Sequence, residues 1–312
     1  MSAVLPSGGI GSLQRRPDRR RTVQTLAYGL LGLCTLAVIG PIFALFGFLI
    51  YHGAKQVDWK FLSLSPNADA TGGIFPAILG SVYLIGLTIL FALPLGVIGA
   101  VYLNEYGGRS RWVGTIRTAI INLAGVPSIV HGLFGLGFFV LFVGGAIDRF
   151  VLHVNKPVWG QPCLLWGACT LAVVILPIII KSTEEALASV PRSFREGSQA
   201  LGATKWETIR RIILPAALPE IMTGAVLGIG RATGETAPVM ITCAASFKPT
   251  LPHGLNDQAM LLPYHLYFVV TQVPNTSLAL KSGIALVLIG VVALTSVAAI
   301  VLRTKVKRAR KW

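Results

Sequence analysis

Arg231 and Glu235 are two charged residues inside an apolar run, Ala216–Ala245, that is long enough to cross a membrane. A charge at the centre of a spanning helix costs roughly 2.5–3.5 kcal/mol, so such residues usually line a pathway. At a rise of about 1.5 Å per residue, both lie between the middle of the membrane and its outer leaflet. Because they are four residues apart, they share one helix face, which could receive a charged substrate.

The alternative interpretation of Arg231 and Glu235 is an ion pair that only holds helices together. An Arg that precedes a Glu is the weaker order for a helical pair, and packing alone requires no charge. We therefore favour a substrate pathway, and we include the next residue, Thr236, in it. Pro238 follows in the same segment and is expected to kink the helix.

A second interrupted segment lies within the apolar run Trp112–Ile147, where Pro127 and several glycines weaken the predicted helix. Ser128 and His131 lie at this interruption. Irregular backbone inside a membrane is tolerated where it lines a cavity or packs on another helix. We assign both residues to the candidate pathway, although a lone histidine in a span is more often a packing residue than a ligand.

Glycines recur every four positions in the fifth apolar run, at Gly224 and Gly228 and again at Gly230 and Gly234. This spacing allows the backbones of two membrane helices to approach closely. We therefore expect Gly224, Gly228 and Gly234 to contact an equivalent helix across a dimer axis, with the substrate between the two.

The polar segment Lys181–Pro215 separates two apolar runs and contains the sequence EGSQALGATKWETIRRIILP. A proline interrupts it, so we predict two short helices, Arg192–Leu201 and Thr204–Ile213. Gly202 lies between them, where a positive φ would allow the chain to turn. A solvated amphipathic hairpin would explain the polarity, but it would not explain the spacing of Glu196, the glycine and the closing Ile-x-Leu-Pro.

Composition places the chain in a membrane, since 54% of its residues are hydrophobic and 12% are charged. A soluble chain carries about twice this share of charged residues. A spanning helix needs roughly 20 mostly apolar residues. We predict an all-α polytopic membrane protein with about six spans, five or seven being alternatives: Leu26–Ile50, Ile74–Leu103, Trp112–Ile147, Cys163–Ile180, Ala216–Ala245 and Gly283–Leu302. The third run is long enough to include an entry helix.

Basic residues are concentrated at both ends of the chain, which has a net charge of +15. Five arginines lie between Arg15 and Arg21, and six lysines or arginines follow Leu302. Both clusters border a spanning run, so the positive-inside rule places both termini in the cytoplasm, in agreement with an even number of spans. We expect contact with anionic lipid rather than with nucleic acid.

These patterns divide the chain into four parts. We predict a disordered basic N-terminus at 1–25, a first membrane anchor and outer loop at 26–72, the main transmembrane domain at 73–302 with the polar segment 181–215, and a basic cytoplasmic tail at 303–312.

The segments between spans contain further expected features. We predict a short interfacial helix at Val57–Leu62 and an outer helix at Leu261–Val270, with His253 and His265 as interfacial residues. The four cysteines all lie within spans and lack the spacing of metal ligands, so we expect packed, reduced thiols and no metal site.

Glu196–Pro215 resembles the EAA loop in permease subunits of binding-protein-dependent ABC importers. The family pattern is Glu-Ala-Ala, three residues, Gly, nine residues and Ile-x-Leu-Pro, and here Gly197 and Ser198 replace the two alanines. In that family the loop forms a coupling helix that docks in a groove of a cytoplasmic ATPase. The resemblance implies an ATPase contact made by Glu196, Gly197, Ser198, Ala200, Leu201, Gly202, Ala203, Thr204 and Lys205.

The same resemblance implies that Gly202 is the hinge and that Arg195 and Lys205 meet acidic groups of the ATPase. The sequence contains no Gly-x-x-x-x-Gly-Lys-Ser/Thr phosphate loop. ATP and Mg would therefore be bound by the partner ATPase, and this chain would need no cofactor of its own.

Residues 73–302 resemble the PstA-type permeases of phosphate importers. The segments that carry the resemblance are GRATGETAP, GVPSIVHGLFGLGFF, GGIFPAILGS and LGATKWETI, with His131 where the family usually has Tyr. Sister permeases of the PstC type usually continue Gly-Glu-Thr with Met, so Ala237 and Pro238 favour the PstA type. The resemblance implies the type I ABC importer permease fold, a PstC-like sister permease, a PstB-like ATPase dimer and a PstS-like external phosphate-binding protein.

Phosphate suits the charges of the fifth run. The Arg231 guanidinium can hold two phosphate oxygens at once. An ionised Glu235 could accept the proton that phosphate still carries, whereas sulfate has no such proton and would be repelled.

Other functions are less compatible with the sequence. A permease for another oxyanion, such as molybdate or sulfate, remains an alternative. An ion-coupled secondary transporter would need its own coupling residues and commonly shows inverted repeats. An intramembrane enzyme would need catalytic groups at one depth, and we find no His-Glu-x-x-His or paired catalytic Asp, so we expect no catalytic residues.

Overall fold

The computed structural model describes residues 18–67, 72–108, 110–154 and 156–309. Within these ranges the secondary structure is helical, apart from two isolated β-bridges. The α-helices are α1 Asp18–Gly53, α2 Trp59–Ser63, α3 Phe75–Val101, α4 Arg111–Ala124, α5 Ser128–Gly135, α6 Leu164–Ser189, α7 Arg192–Ala200, α8 Lys205–Thr208, α9 Leu214–Gly234, α10 Ala237–Thr242, α11 Leu262–Thr271 and α12 Leu278–Ala309. Four π-helical segments continue some of these: Tyr102–Tyr106, Leu136–Gly144, Ile147–Leu152 and Ile209–Ile213.

The chain forms two compact units, residues 1–51 and 52–312. The described part of the first unit lies in α1, which begins at Asp18. Residues 18–25 are therefore helical, and the predicted disorder is wrong there because the apolar helix extends back into the basic segment. The rest of that prediction, residues 1–17, lies outside the described residues, as do residues 310–312 of the predicted tail. Residues 303–309 continue α12.

The second unit has its core around α6. In its most apolar stretch 67% of the residues are buried, compared with 11% in α12. Leu171, Ile175 and Ile179 are fully buried there. Gly96 allows α3 to approach closely, because a Cβ at that position would lie 2.5 Å from Ile179 Cγ2. α6 is therefore the central helix, against which α3, α4, α5, α9 and α10 pack.

Six helices of the described chain are long and apolar enough to cross a membrane, which confirms the predicted all-α polytopic fold. They are Val23–Gly53, Phe75–Tyr106, Ser128–Leu152, Leu164–Ser189, Lys205–Gly234 and Leu278–Val306. The predicted third run divides, as expected, into an entry helix (α4) and the span that begins at Ser128.

The fifth span begins and ends earlier in the sequence than its apolar run. It begins at Lys205 and ends at Gly234, and Glu235 has an extended backbone with φ −75° and ψ 125°. The prediction that Pro238 kinks one continuous helix is wrong. The helix has already ended, and Pro238 lies in the first turn of α10, where its missing N–H leaves no hydrogen bond unmade.

Both predicted helices between spans are present. α2 begins after Asp58, whose Oδ1 accepts a hydrogen bond from the Phe61 N–H at 2.7 Å. α11 matches the predicted outer helix. His265 in α11 is 1% exposed, so its predicted interfacial position is wrong, whereas His253 is exposed.

Candidate functional site

Arg231 and Glu235 lie together at the end of the fifth span. Arg231 Nε is 3.4 Å from Glu235 Oε1, and the side chains are 37% and 15% exposed. Within the described residues, the two terminal nitrogens of Arg231 donate no hydrogen bond. The predicted pair therefore forms, but it uses one edge of the guanidinium and leaves the terminal donors available to an oxyanion.

Glu235 lies where four helices meet. A small crevice beside it is lined by residues of α3, α9, α10 and the start of α11, including Ser81, Leu84, Leu261 and Pro263. The walls of the crevice are mostly apolar. Because an apolar environment screens charge less than water does, it strengthens the electrostatic attraction between Glu235 and the neighbouring Arg231. Thr236 follows as a half-buried residue at the break between α9 and α10.

His131 and Ser128 lie on α5, the first helix of the third span. α5 packs on α10 through Gly132, where a Cβ would lie 2.9 Å from Pro238 Cα. His131 is 4% exposed, and its Nδ1 lies 3.3 Å from the carbonyl oxygen of Pro127. Neither side chain hydrogen bonds to Arg231 or Glu235 within the described chain, so the structure brings α5 beside the break but leaves His131 as a packing residue.

The two glycine pairs of α9 face opposite ways. A Cβ on Gly224 would lie 1.7 Å from Ser182 Oγ, and one on Gly228 would lie 3.5 Å from Ile175 Cδ1. Both neighbours belong to α6 of the same chain. The prediction that Gly224 and Gly228 contact a second subunit is therefore wrong, because these glycines allow close packing within the molecule.

Gly234 and Gly230 lie on the outward side, where an added Cβ would meet no atom of the described residues within 4 Å. Leu227 is 60% exposed on the same side, and Arg231 follows it one helical turn later. The exposed stripe of α9 thus runs along Leu227, Gly230, Arg231 and Gly234. Its spacing of three and four residues was visible in the sequence, but the sequence could not tell which pair faced inward.

The segment that resembles the EAA loop forms two short helices, as predicted. α7 ends at Ala200, Gly202 has a φ of +85°, and α8 begins at Lys205. The positive φ confirms the predicted turn. Leu201, immediately before the turn, is 91% exposed, which makes it an apolar projection from a polar surface.

The outer face of this turn is available to a partner. Glu196, Gly197, Ala200 and Thr204 are exposed, and Ala203 is half-buried. Ser198 is buried instead, and its Oγ lies 2.9 Å from Thr208 Oγ1. Ser198 therefore joins the two short helices rather than contributing to the exposed face.

Thr204 and Glu207 fix the start of α8. The Thr204 side chain accepts from the Glu207 N–H at 3.3 Å, and the Glu207 carboxylate accepts from the Thr204 N–H at 2.9 Å. This reciprocal arrangement is a capping box. It holds α8 directly after the turn and leads it into the fifth span.

Arg195 and Lys205 are engaged within the chain. Arg195 Nη2 is 2.9 Å from Glu105 Oε1, and Lys205 Nζ donates to the carbonyl oxygen of Glu105. The expectation that both face acidic groups of another protein is therefore wrong for Arg195, which is mostly buried, while Lys205 stays exposed. Sequence reasoning missed Glu105, whose one signal was an acidic residue at the end of an apolar run.

The outer segment after α10 has two titratable groups in contrasting surroundings. Burial raises the pKa of Asp257, but bonds from the Lys248 side chain and from the N–H groups of His253 and Gln258 outweigh it, so the pKa is lowered. Burial lowers the pKa of His265 to about 4. Across the described ranges, no three His, Cys, Asp or Glu side chains come together to hold a metal ion.

A family model described as "Binding-protein-dependent transport system inner membrane component" matches residues 92–309. The chain is 33% identical to the probable ABC transporter permease protein YqgI of Bacillus subtilis, covering 87% of this chain and 92% of that protein. It is 36% identical to the phosphate transport system permease protein PstA 1 of Mycobacterium tuberculosis (77% and 72%) and 31% identical to PstA of Haemophilus influenzae (76% and 79%).

Solved structures share the fold. A bacterial ABC transporter involved in the import of the acidic polysaccharide alginate aligns with a TM-score of 0.65 at 17% identity, covering 92% of this chain and 97% of that one. The MetNI methionine ABC transporter aligns with a TM-score of 0.54 at 19% identity (75% and 94%). With its helices, its Gly202 turn and these relatives, the chain belongs to the family of inner membrane components of binding-protein-dependent transport systems, which are multi-pass permease subunits and not themselves enzymes.

Proposed function

We propose that this chain is a permease subunit of an ATP-driven importer of inorganic phosphate and forms half of its translocation pathway. The observation that carries the proposal is the end of the fifth span. There Arg231 keeps two terminal nitrogens without a partner in the described structure while Glu235 lies 3.4 Å from its Nε. Relatives named as phosphate transport permeases support the choice of substrate.

The charges match the chemistry of phosphate. A guanidinium binds two oxygens of a tetrahedral anion with parallel hydrogen bonds. The Glu235 carboxylate accepts a hydrogen bond from the O–H of hydrogen phosphate, whereas it repels an anion that has no O–H to donate. The backbone at Glu235 is extended, with φ −75° and ψ 125°, so the helix of the fifth span ends directly beside the charged pair.

Three partners complete the transporter. A sister permease of the PstC type supplies the other half of the pathway, two copies of a PstB-like ATPase bind ATP and Mg, and a PstS-like external protein delivers phosphate. Both termini lie in the cytoplasm, where their basic clusters contact anionic lipid.

The sister permease contacts the exposed stripe of α9. Leu227 provides apolar area, and Gly230 and Gly234 let a second helix approach. Arg231 lies between these glycines, so it faces the seam between the two permeases. Phosphate therefore crosses along this seam.

The ATPase contacts the turn around Gly202. Leu201 is the main apolar contact, because burial of its exposed aliphatic side chain in an apolar groove of the ATPase stabilises the complex. Glu196, Gly197, Ala200 and Thr204 surround it. The ATPase thereby moves α7, and α8 passes the movement to the fifth span.

Transport by the whole complex tests the proposal. The complex is purified through an affinity tag on this chain, its subunits are identified, and it is reconstituted in liposomes with its external binding protein. We expect phosphate uptake that requires ATP and that excess sulfate or molybdate does not reduce. Uptake of sulfate or molybdate in preference to phosphate, or phosphate uptake driven by an ion gradient without ATP, would overturn it.

A further inference from the structure

The second span ends in a π-helical turn, Tyr102–Tyr106, that contacts the coupling segment, residues 192–208, which comprises α7, the Gly202 turn and α8. Glu105 in this turn has a side chain that is only 9% exposed. Its Oε1 accepts hydrogen bonds from Arg195 Nη2 and from Asn104 Nδ2, both at 2.9 Å. A π-helical turn is a rare feature that is often found at functional positions, and here it presents a carboxylate to α7.

Arg195 connects this carboxylate to two further points of the backbone. Its Nη1 donates to the carbonyl oxygen of Val190 and its Nη2 to that of Leu187, each at 2.8 Å. Leu187 lies in the last turn of α6, and Val190 directly follows that helix. One guanidinium thus ties together the second span, the fourth span and the coupling helix, with charge-assisted bonds in a mostly buried place.

Lys205 makes a second connection to the same turn from the other side of Gly202. Its Nζ donates to the Glu105 carbonyl oxygen and lies 4.8 Å from the centre of the Tyr106 ring. The two cations lie on opposite sides of the hinge, one on α7 and one at the start of α8. Both are held by the end of the second span, so a shift of either short helix pulls on that span.

We propose that Glu105 is a positioning residue that transmits the displacement of the coupling helix to the second span. This inference rests on the proposed coupling of α7 to an ATPase. Glu105 touches neither phosphate nor nucleotide in this proposal. It acts through Arg195, so its loss changes how strongly transport and ATP hydrolysis depend on each other.

The test compares Glu105→Gln with a matched control, Glu184→Gln, in the full importer in lipid nanodiscs. Glu184 on α6 also pairs with an arginine, Arg117 on α4, with Nε and Oε1 3.0 Å apart. Arg117 Nη2 donates to the Leu103 carbonyl oxygen of the same π-helical turn, but among the described residues no hydrogen bond or ion pair joins Glu184 to α7 or α8. The readout is the ratio of ATP hydrolysis with and without phosphate-loaded binding protein. We expect this ratio to fall about fivefold or more in Glu105→Gln, with subunit assembly retained, and to stay at the wild-type value in Glu184→Gln.

Two further variants separate a coupling role from a structural one. Glu105→Asp keeps the charge and should keep most of the stimulation. The double variant Glu105→Gln with Arg195→Gln should lose no more stimulation than either single variant, because both changes break one connection. Wild-type stimulation in Glu105→Gln, equal losses in the Glu184 control, or additive losses in the double variant would each overturn the proposal.

Assembly and the coupling assignment itself are checked in the same experiment. If Glu105→Gln does not assemble, Arg195→Lys replaces it, because a lysine keeps the charge but cannot hold the carboxylate and both carbonyls at once. The same loss and the same overturning results apply to it. Gly202→Trp distinguishes the failures, since normal stimulation there contradicts the coupling assignment, whereas lost stimulation there with normal Glu105→Gln contradicts only the role of Glu105.

Discussion

Charged groups lie beside both ends of the fifth span, and they are held in different ways. At the end that leads from the coupling segment, Arg195 and Lys205 both bind the turn at Glu105, and Arg195 is 21% exposed. At the other end, Arg231 is 37% exposed and meets Glu235 through one nitrogen at 3.4 Å. At the first end, Arg195 donates three hydrogen bonds within the chain. At the second end, Arg231 donates one, and its terminal nitrogens have no partner among the described residues.

This difference indicates that the two ends of the fifth span have different roles. A guanidinium with several hydrogen bonds keeps its neighbours in register, because a displacement weakens more than one charge-assisted bond. A guanidinium with unused N–H donors can bind a ligand at a small cost in free energy, because few existing hydrogen bonds must break. The coupling end is therefore built to transmit movement, and the pathway end is built to bind and release an anion.

Arg231→Gln should have the largest effect, because it removes the charge that attracts the anion. We expect ATP-dependent phosphate uptake to fall to background in proteoliposomes while the subunits still co-purify. Arg231→Lys is the matched control. It keeps the charge without the two-pronged geometry, so it should retain partial uptake. Equal phosphate uptake by Arg231→Gln and Arg231→Lys would contradict an anion-binding role for this end of the fifth span, and with it the contrast between the two ends.

Gly202→Trp should uncouple ATP hydrolysis from transport without affecting the membrane fold. The φ of +85° costs a residue with a side chain about 1–2 kcal/mol, and this displaces Leu201 from its docking position. Stimulated ATP hydrolysis should fall about tenfold. Gly114→Ala on α4, outside the proposed ATPase contact, is the control, since an added methyl group there meets no described atom within 4 Å and should leave stimulation unchanged. Equal behaviour of the two variants would contradict the assignment of the hinge.

The two sides of α9 should respond differently to the same small change. Gly224→Ala forces a methyl group onto Ser182 and should destabilise the isolated subunit by about 1–3 kcal/mol, measured as a lower midpoint of thermal unfolding in detergent. Gly230→Ala faces open space and should leave that midpoint unchanged. It should instead weaken co-purification of the sister permease, and an unchanged yield of that subunit would argue against the seam.

Mild acid should loosen the outer region before the coupling region. The pKa of His265 is lowered to about 4 by burial, so the folded protein keeps this ring neutral while the unfolded chain, with an ordinary pKa near 6.5, takes up a proton. The stabilisation is complete above about pH 6.5 and decreases as the pH falls towards 4, by up to about 1.4 kcal/mol per pH unit.

Hydrogen exchange measures this effect locally. Exchange in residues 262–271 should accelerate between pH 7 and pH 5, after correction for intrinsic rates, relative to residues 192–208. His265→Leu should abolish the acceleration, and His253→Ala, at an exposed ring, should preserve it. An acceleration that persists in His265→Leu would assign the response to another group.

The sequence was sufficient for the features that depend on local pattern. Hydropathy predicted all six spans, and the glycine at 202 predicted the turn, because span length and positive φ are properties of short segments. The end of the fifth span at Gly234 was missed, since the apolar residues continue into α10.

Features that depend on distant contacts could not be read from one sequence. The inward side of Gly224 follows from Ser182 on another helix. Glu105 and Arg195 are 90 positions apart, so nothing local marks them as a pair. His265 was placed at an interface because its sequence neighbours are aromatic, but packing of α11 buries it.

The double variant Arg231→Gln with Glu235→Gln tests the central claim most directly, which is that the positive charge at position 231 serves phosphate transport. Removing Arg231 alone leaves Glu235 without its partner, so some loss could come from destabilisation. The double variant removes both charges and restores a neutral pair. If Arg231 attracts the anion, the double variant should assemble at wild-type yield and still show background phosphate uptake. Uptake near the wild-type rate in that assembled complex would show that the pair is only a structural ion pair and would contradict the pathway.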